Sequence, residues 1–392
     1  MIINGDQKRV LLTGGRAPAT LELARLLGQE RHRIYVAECL PKHLCLGSRY
    51  VERCFDIPSP AADEEGFVER LAAIIREEKI DCLIPTCEEA FYIAKAYERL
   101  SACCTVFVSP IAVMRTLHSK WEFNALLRRS GFQAPDSWLI GQESELHRVL
   151  GDIDPEAREK WVMKPEFSRF SSKVEIFTGR PPLPLRMKEG ESWVLQRFVE
   201  GRQICTFAVA SEGRMGAYSA YSSEFTAGKG ACISFTFEPD PNVMEWMERF
   251  VKLAGYTGLI ALDLIVGKDG RIHPIECNPR LTSGIHLFTA ADGIGRAIFR
   301  SSDEVITPKG NHSSMIALAM LLYGLPQIRS PRGIFRWLHK LLTSRDVLFR
   351  FKDPLPFLGQ MGVYGTIWRI SRRLNISPLE ASTIDIEWNG EL

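Results

Sequence analysis

The sequence lacks most of the features that would take it out of the ordinary globular classes. No apolar run reaches the roughly 18 residues that a membrane-spanning helix needs. Asn4, Asp6, Lys8 and Arg9 interrupt the N-terminus, so no secretory leader is expected. Ten cysteines occur without one CxxC pair. That removes the common zinc and thioredoxin-type spacings and leaves reduced, packing thiols in a cytoplasmic protein as the simplest account, for Cys205 and Cys277 as for the rest. Excess charge of one sign is also missing: 49 Lys and Arg against 47 Asp and Glu leave +2. No basic tract with interleaved aromatics appears, so no nucleic-acid partner is expected. Gly14-Gly15 is not followed by a GxGxxG fingerprint or a Walker lysine, which weakens any dinucleotide or P-loop reading. What is present is a chain of 392 residues, 45% hydrophobic and 24% charged, long enough for two or three packed domains.

The first hundred residues alternate short apolar strands with helices. Residues 10–13, 33–37, 82–85 and 106–108 read as strands and 19–29 and 67–79 as helices. The alternation predicts a Rossmann-like parallel sheet. Sheets of this kind bind ligands beyond the carboxyl ends of their strands, which makes Glu88, in the turn 85–89, a candidate substrate contact. A carboxylate serving a helix N-terminus is the plainer alternative.

The densest signal lies at 260–280, two apolar strands joined by Gly267-Lys-Asp-Gly270. Pairing through that turn sets Val266 opposite Arg271, Asp263 opposite Pro274 and Ala261 opposite Glu276. Side chains alternate between faces, so Asp263, Glu276 and Asn278 share one face, the carboxylates as diagonal neighbours roughly 7–8 Å apart. A solvated hairpin would explain the turn, but not charges embedded in apolar strands, which are costly unless paired or metal-bound. Two carboxylates and an amide oxygen suit a hard cation such as Mg2+. Arg280, just beyond, offers a planar fork to phosphate or carboxylate oxygens.

Upstream, 121–131 reads as a helix closed by Gly131, and 161–165 as an apolar strand carrying Lys164, whose burial calls for an anion such as phosphate. A hydroxyl-rich loop, 166–173, precedes further strands at 193–199, 205–210 and 216–222. In order, Lys120, Val162-Met-Lys-Pro165, Gln196-Arg-Phe-Val-Glu-Gly201, Asp263 and Glu276-Cys-Asn-Pro-Arg280 resemble the ATP-grasp superfamily over roughly residues 8–300. Within it, Asp81-Cys-Leu-Ile-Pro-Thr-Cys87, Gly201-Arg-Gln-Ile-Cys-Thr206, Ile275-Glu-Cys-Asn-Pro-Arg280 and Asp353-Pro-Leu-Pro-Phe357 resemble the mycosporine-glycine synthases, which join an amino acid to a cyclic enolic ketone.

The resemblance implies a mixed α/β and α+β architecture. A Rossmann-like N-terminal domain (1–115) would precede two α+β subdomains that clamp ATP, a small one (116–200) and a large one with the metal site (201–305), then a mostly helical extension (306–392). It implies that Lys120 and Lys164 contact nucleotide phosphates, that Gln196, Arg197, Phe198 and Val199 meet adenine through their backbone, and that Asp263, Glu276 and Asn278 hold Mg2+, two ions by expectation, with Mn2+ as a substitute. Arg280 would stabilise the transferred phosphoryl group. Two departures qualify this. The phosphate-covering loop has no glycine in 167–172, so Arg169 and the loop hydroxyls would replace backbone contacts, and Gln203 stands where relatives carry an acid near the ribose.

The implied activity is an ATP-dependent ligase. It would phosphorylate a carboxylate, or an enolic oxygen, and couple the product to an amine or amino acid with release of ADP and phosphate. A small-molecule kinase and a non-catalytic nucleotide-binding scaffold are the competing readings. Ser283 and His286 are further substrate candidates, with a structural histidine the plainer reading of His286. Beyond the resemblance, 313–322 reads as an apolar helix, and 333–343 and 362–374 as basic amphipathic helices. Packing on the ATP-binding domain is the expected use of the latter two, with peripheral membrane contact as the alternative; a homodimer is a separate expectation for the chain.

Overall fold

Five parallel strands open the fold: β1 (Arg9–Thr13), β2 (Arg33–Glu38), β3 (Val51–Asp56), β4 (Cys82–Ile84) and β5 (Thr105–Val106), in the order β3-β2-β1-β4-β5. The structure is a computed structural model that describes residues 7–151, 159–167, 173–179, 191–227, 231–300, 304–310 and 313–390. Both faces of this sheet are covered, as parallel sheets require. Val10 and Leu12 of β1 pack with Leu21, Leu26 and Leu27 of the Pro18–Gln29 helix, while Leu11 faces Phe67, Leu71 and Ile75 of the Glu64–Glu77 helix. The edge strand β3 has no counterpart in the sequence reading, because Val51-Glu-Arg-Cys-Phe-Asp56 buries only Phe55 and so shows no apolar run.

Four antiparallel strands follow: β6 (Ser137–Ile140), β7 (Lys160–Pro165), β8 (Glu175–Thr178) and β9 (Trp193–Arg197), ordered β6-β9-β7-β8. Period-two alternation divides this sheet. Trp161, Met163, Trp193 and Leu195 pack under Leu146 and Leu150 of the Glu143–Gly151 helix. Val162, Lys164, Val194 and Gln196 are left on the opposite face.

The largest sheet holds β10 (Gly201–Ser211), β11 (Arg214–Ser222), β14 (Ser234–Phe237), β15 (Gly258–Gly267), β16 (Ile272–Asn278), β17 (Ser313–Met315) and β18 (Arg345–Asp346), ordered β16-β15-β10-β11-β14-β17-β18. A ribbon of β12 (Thr226–Ala227) and β13 (Ala231–Cys232) lies beside it. The Pro241–Ala254 helix packs on one face through Val243, Trp246, Met247, Phe250 and Val251. Its limits follow from local chemistry. The Asp240 side chain accepts from the Asn242 and Val243 amides, Pro241 sits in the first turn, and Gly255 ends it at φ 55°.

The apolar stretch 313–322 is not one helix. Ser313–Met315 pairs with β14 instead, Met315 opposite Ser234, and helix begins only at Ala317. The edge of β14 offers backbone partners, and satisfying them outweighs helix propensity in a stretch of three residues. Two strands from beyond residue 306 thus complete the large sheet.

The C-terminal region is also tied to the first domain. Arg25 Nε meets Asp353 Oδ2 at 2.8 Å, and its remaining nitrogens donate to the carbonyls of Val347 and Leu348. Asp353 also accepts from Ser48 Oγ and the Arg49 amide. Glu22, buried, accepts from Arg350 at 2.9 Å and Arg345 at 3.3 Å. Further on, residues 382–390 cross the first domain. Arg16 meets Asp385 at 2.8 Å, Tyr92 donates to the Glu387 carbonyl, and Trp388 stacks on Phe91 with ring centroids 4.5 Å apart.

Candidate active site

The β15–β16 hairpin does not close as a simple two-residue turn. Gly267 N donates to Arg271 O, leaving Lys268, Asp269 and Gly270 as a three-residue loop with Gly270 at φ 77°. Val266 therefore pairs with Ile272, not Arg271. A bulge between Asp263 and Leu264 shifts the register again and sets Asp263 directly opposite Glu276, with Asn278 opposite Ala261. The shared face survives both shifts. The carboxylates are direct neighbours rather than diagonal ones, at a cross-strand spacing of about 5 Å between Cβ atoms.

This proximity perturbs the site. Burial, and then the Glu276 charge, push the Asp263 carboxyl up to about 6. Two facing carboxylates are stable together only with a proton or cation between them. Among the described residues no three His, Cys, Asp or Glu side chains converge on a metal. Two carboxylates and the Asn278 amide oxygen would occupy only part of an octahedral shell, which suits Mg2+ that keeps phosphate and water as its other ligands.

Cations approach the pair from the small sheet. Lys164, buried on β7, crosses to the large sheet and donates to the Ile275 carbonyl at 3.0 Å and to Gln196 Oε1 at 3.0 Å. Burial, followed by repulsion from Lys120, pulls its ammonium down to about 8. Lys120 begins the Lys120–Arg129 helix, whose N-terminus is capped by Ser119. Its Nζ lies 3.3 Å from the Glu166 carbonyl and 4.0 Å from Glu276 Oε1. Gln196 is further fixed by donation from its Nε2 to Ser137 Oγ. Arg197 lies on the outer face, over the Trp161 ring and near Glu159 and Asp136, so its side chain is turned away from Lys164 and Gln196. Phe198 lies under Lys160, and Val199 is half-buried beside it. Gln203 shares a face with Asp263, because Gln203 pairs with Ile265 and Cys205 with Asp263.

Arg280 leaves the end of β16 with one guanidinium nitrogen 3.1 Å from Asn278 Oδ1 and Nε 3.8 Å from Glu88 Oε1. Its Nε is buried without a hydrogen-bond partner. Glu88, from the carboxyl end of β4, is fully buried, and its second oxygen accepts from the Trp388 amide at 3.4 Å. The 85–89 turn of the first domain and the segment around Trp388 therefore meet beside the arginine of the site.

One of the substrate candidates does not converge there. The His286 ring stacks on Phe235 and its Nδ1 lies 3.9 Å from Glu22 in the first domain. Burial lowers its pKa against the opposing pull of Glu22, and its partners are packing partners from β14 and the first domain. Ser283 begins a short 3-10 turn and is half-buried. Arg169 lies outside the described residues. Glu166, which accepts from Ser119 Oγ, and Trp388 carry no motif, so only the tertiary structure brings them into view. They line a cavity of about 1000 Å3 with Phe167, Tyr92, Lys95 and Glu387.

Comparison with known proteins bears on the fold. Residues 117–284 match the ATP-grasp domain family. No curated protein matches the sequence. Solved structures share the fold at low identity. The L-amino acid ligase from Bacillus licheniformis is 16% identical, with a TM-score of 0.52 over 72% of this chain and 69% of that one. The phosphoribosylamine–glycine ligase from Thermotoga maritima is 14% identical, with a TM-score of 0.59 over 78% and 79%. The biotin carboxylase domain of the Hydrogenobacter thermophilus 2-oxoglutarate carboxylase, in complex with MgADP and bicarbonate, is 13% identical, with a TM-score of 0.57 over 77% and 71%.

Proposed function

We propose, from the ATP-grasp domain that residues 117–284 form, that this chain is an ATP-dependent ligase joining a carboxylate to an amine, with release of ADP and phosphate. The observation that carries the reading is the facing pair Asp263 and Glu276, with Lys164, Lys120 and Arg280 around it. Such a set positions and neutralises a phosphate chain, which is most of what phosphoryl transfer asks of a protein. Asp263, Glu276 and Asn278 would hold Mg2+, which supplies charge neutralisation on the phosphates when bound. Lys164 and Lys120 bind the phosphate oxygens, and the backbone of 196–199 meets the adenine edge.

Arg280 orients the phosphoryl group and the oxygen it is transferred to. Glu88 holds the guanidinium from the side of the first domain. The acceptor acid then lies between Arg280, the 85–89 turn and the segment around Phe167. The amine attacks the activated acyl carbon and phosphate leaves. Enolic activation, as in the mycosporine-glycine synthases, is the same chemistry on a different oxygen. The likeness of Asp353-Pro-Leu-Pro-Phe357 to that subgroup bears on the anchoring of the C-terminal region, since Asp353 pairs with Arg25. The division of the chain at 115, 200 and 305 belongs to the same proposal.

A matrix of acids and amino acids screened for phosphate release tests the reading. Release that requires both an acid and an amine supports ligation. A stable phosphorylated acid formed without amine replaces it with a kinase.

A further inference from the structure

We infer that the outer face of residues 320–374 docks on an anionic membrane surface. The Pro331–Thr343 helix buries one residue, Trp337, whose indole donates to the Met320 carbonyl. Its apolar stripe, Ile334, Phe335, Leu338 and Leu342, follows helical spacing and points away from the protein, with Phe335 72% and Leu342 82% exposed. An amphipathic helix normally turns that stripe inward. The Leu355–Leu374 helix repeats the arrangement through Leu358, Met361, Tyr364 and Trp368, and Phe351, just before it, is 92% exposed. Leu321, Leu322 and Tyr323, ahead of both helices, are exposed as well.

Charge selects the occupant. Residues 329–374 carry ten Lys and Arg against two Asp, in a chain whose total is only +2. Asp353 offsets none of this charge, and Asp346, half-buried, offsets at most one unit of it. Asp353 is buried against Arg25, and Asp346 accepts from the Ala317 and Phe349 amides. Some of the cations are held inside the fold, since Arg345 and Arg350 pair with Glu22 and Lys340 donates to Thr236. Arg332, Arg336, Lys352, Arg372 and Arg373 remain exposed, with no carboxylate partner among the described residues. Arg372 lies over the Trp368 ring at 5.9 Å. An exposed apolar stripe bordered by arginines, with tryptophan between, matches the boundary between acyl chains and anionic headgroups. A second copy of this chain would bring a like charge against it. No helix of the described residues is long and apolar enough to cross a bilayer, so the contact is with the surface.

Co-sedimentation of the full chain with vesicles tests the inference. Binding is expected to vesicles containing about a quarter phosphatidylglycerol and not to phosphatidylcholine alone, and to weaken at about 0.5 M salt. Phe335→Ser with Leu342→Ser, and separately Arg332→Glu with Arg336→Glu, should each lower vesicle affinity at least about tenfold. ATP affinity should stay unchanged in both variants, which reports on folding. Equal binding to neutral and anionic vesicles, or to neither, overturns the inference. So does a stable dimer by light scattering that Phe335→Ser dissociates, because the face would then be a subunit interface.

Discussion

At the scale of single residues, two groups of the site are pushed in opposite directions, Asp263 in a way that a cation would relieve and Lys164 in a way that a phosphate chain would relieve. Asp263 is pushed up to about 6 by burial and Glu276, and Lys164 is pulled down to about 8 by burial and Lys120. A phosphate chain favours the charged form of Lys164, and at pH 8 part of that charge must come from solvent. Calorimetry of nucleotide binding at pH 8 should therefore show uptake of a fraction of a proton, seen as a heat that changes with the buffer's ionisation enthalpy. At pH 6 the uptake through this lysine should vanish, because the amine is already charged. Asp263 is ionised at pH 8 and does not obscure the signal. Buffer-independent heats at pH 8 would place Lys164 away from the phosphates. Glu276→Gln keeps the shape and removes one charge of the facing pair. Turnover should fall about a hundredfold or more while thermal unfolding shows the fold retained, and an active variant would exclude the metal assignment. Most of these residues were legible in the sequence because a charge inside an apolar strand is costly without a function. Their register was not, because the bulge at Asp263 and the three-residue loop depend on backbone conformation rather than on residue pattern. For His286 the plainer of the two readings, a structural histidine, fits its partners Phe235 and Glu22, which come from distant segments.

At the scale of elements, strands with strict alternation were readable and those set by tertiary pairing were not. β7 and β9 announce themselves by Trp161, Met163, Trp193 and Leu195 on one face. β3, β17 and β18 are short or polar and exist because a neighbouring edge accepts them. The clearest test at this scale is the anchor between the Pro18–Gln29 helix and the turn before the Leu355–Leu374 helix. Asp353→Ala strips a fully buried Arg25 of its carboxylate, and breaking a buried pair from one side costs about 3–5 kcal/mol. Chemical denaturation should show that loss, with faster proteolysis of the region after residue 346. Stability within about 0.5 kcal/mol of the parent would mean that Arg25 finds solvent when its partner is removed.

At the scale of the whole molecule, the first domain is finished by residues three hundred or more positions away. Glu22, Arg25, Arg16 and Glu88 find partners at Arg350, Asp353, Asp385 and Trp388. During synthesis the first hundred residues emerge with a buried arginine, a buried glutamate and an apolar ring stack that lack their counterparts. Closing so long a loop is slow, and an open sheet face is prone to aggregate while it waits. A fragment comprising residues 1–118 should therefore show no cooperative melt, although it contains every strand of its sheet, and the full chain should refold to a soluble monomer only in dilute solution. A fragment that melts sharply would mean that the domain tolerates these unpaired charges. Otherwise the nascent chain has to be shielded until its final turns are made, and production of this protein will be limited by the time between translating Arg25 and translating Asp353 rather than by the stability of the finished fold.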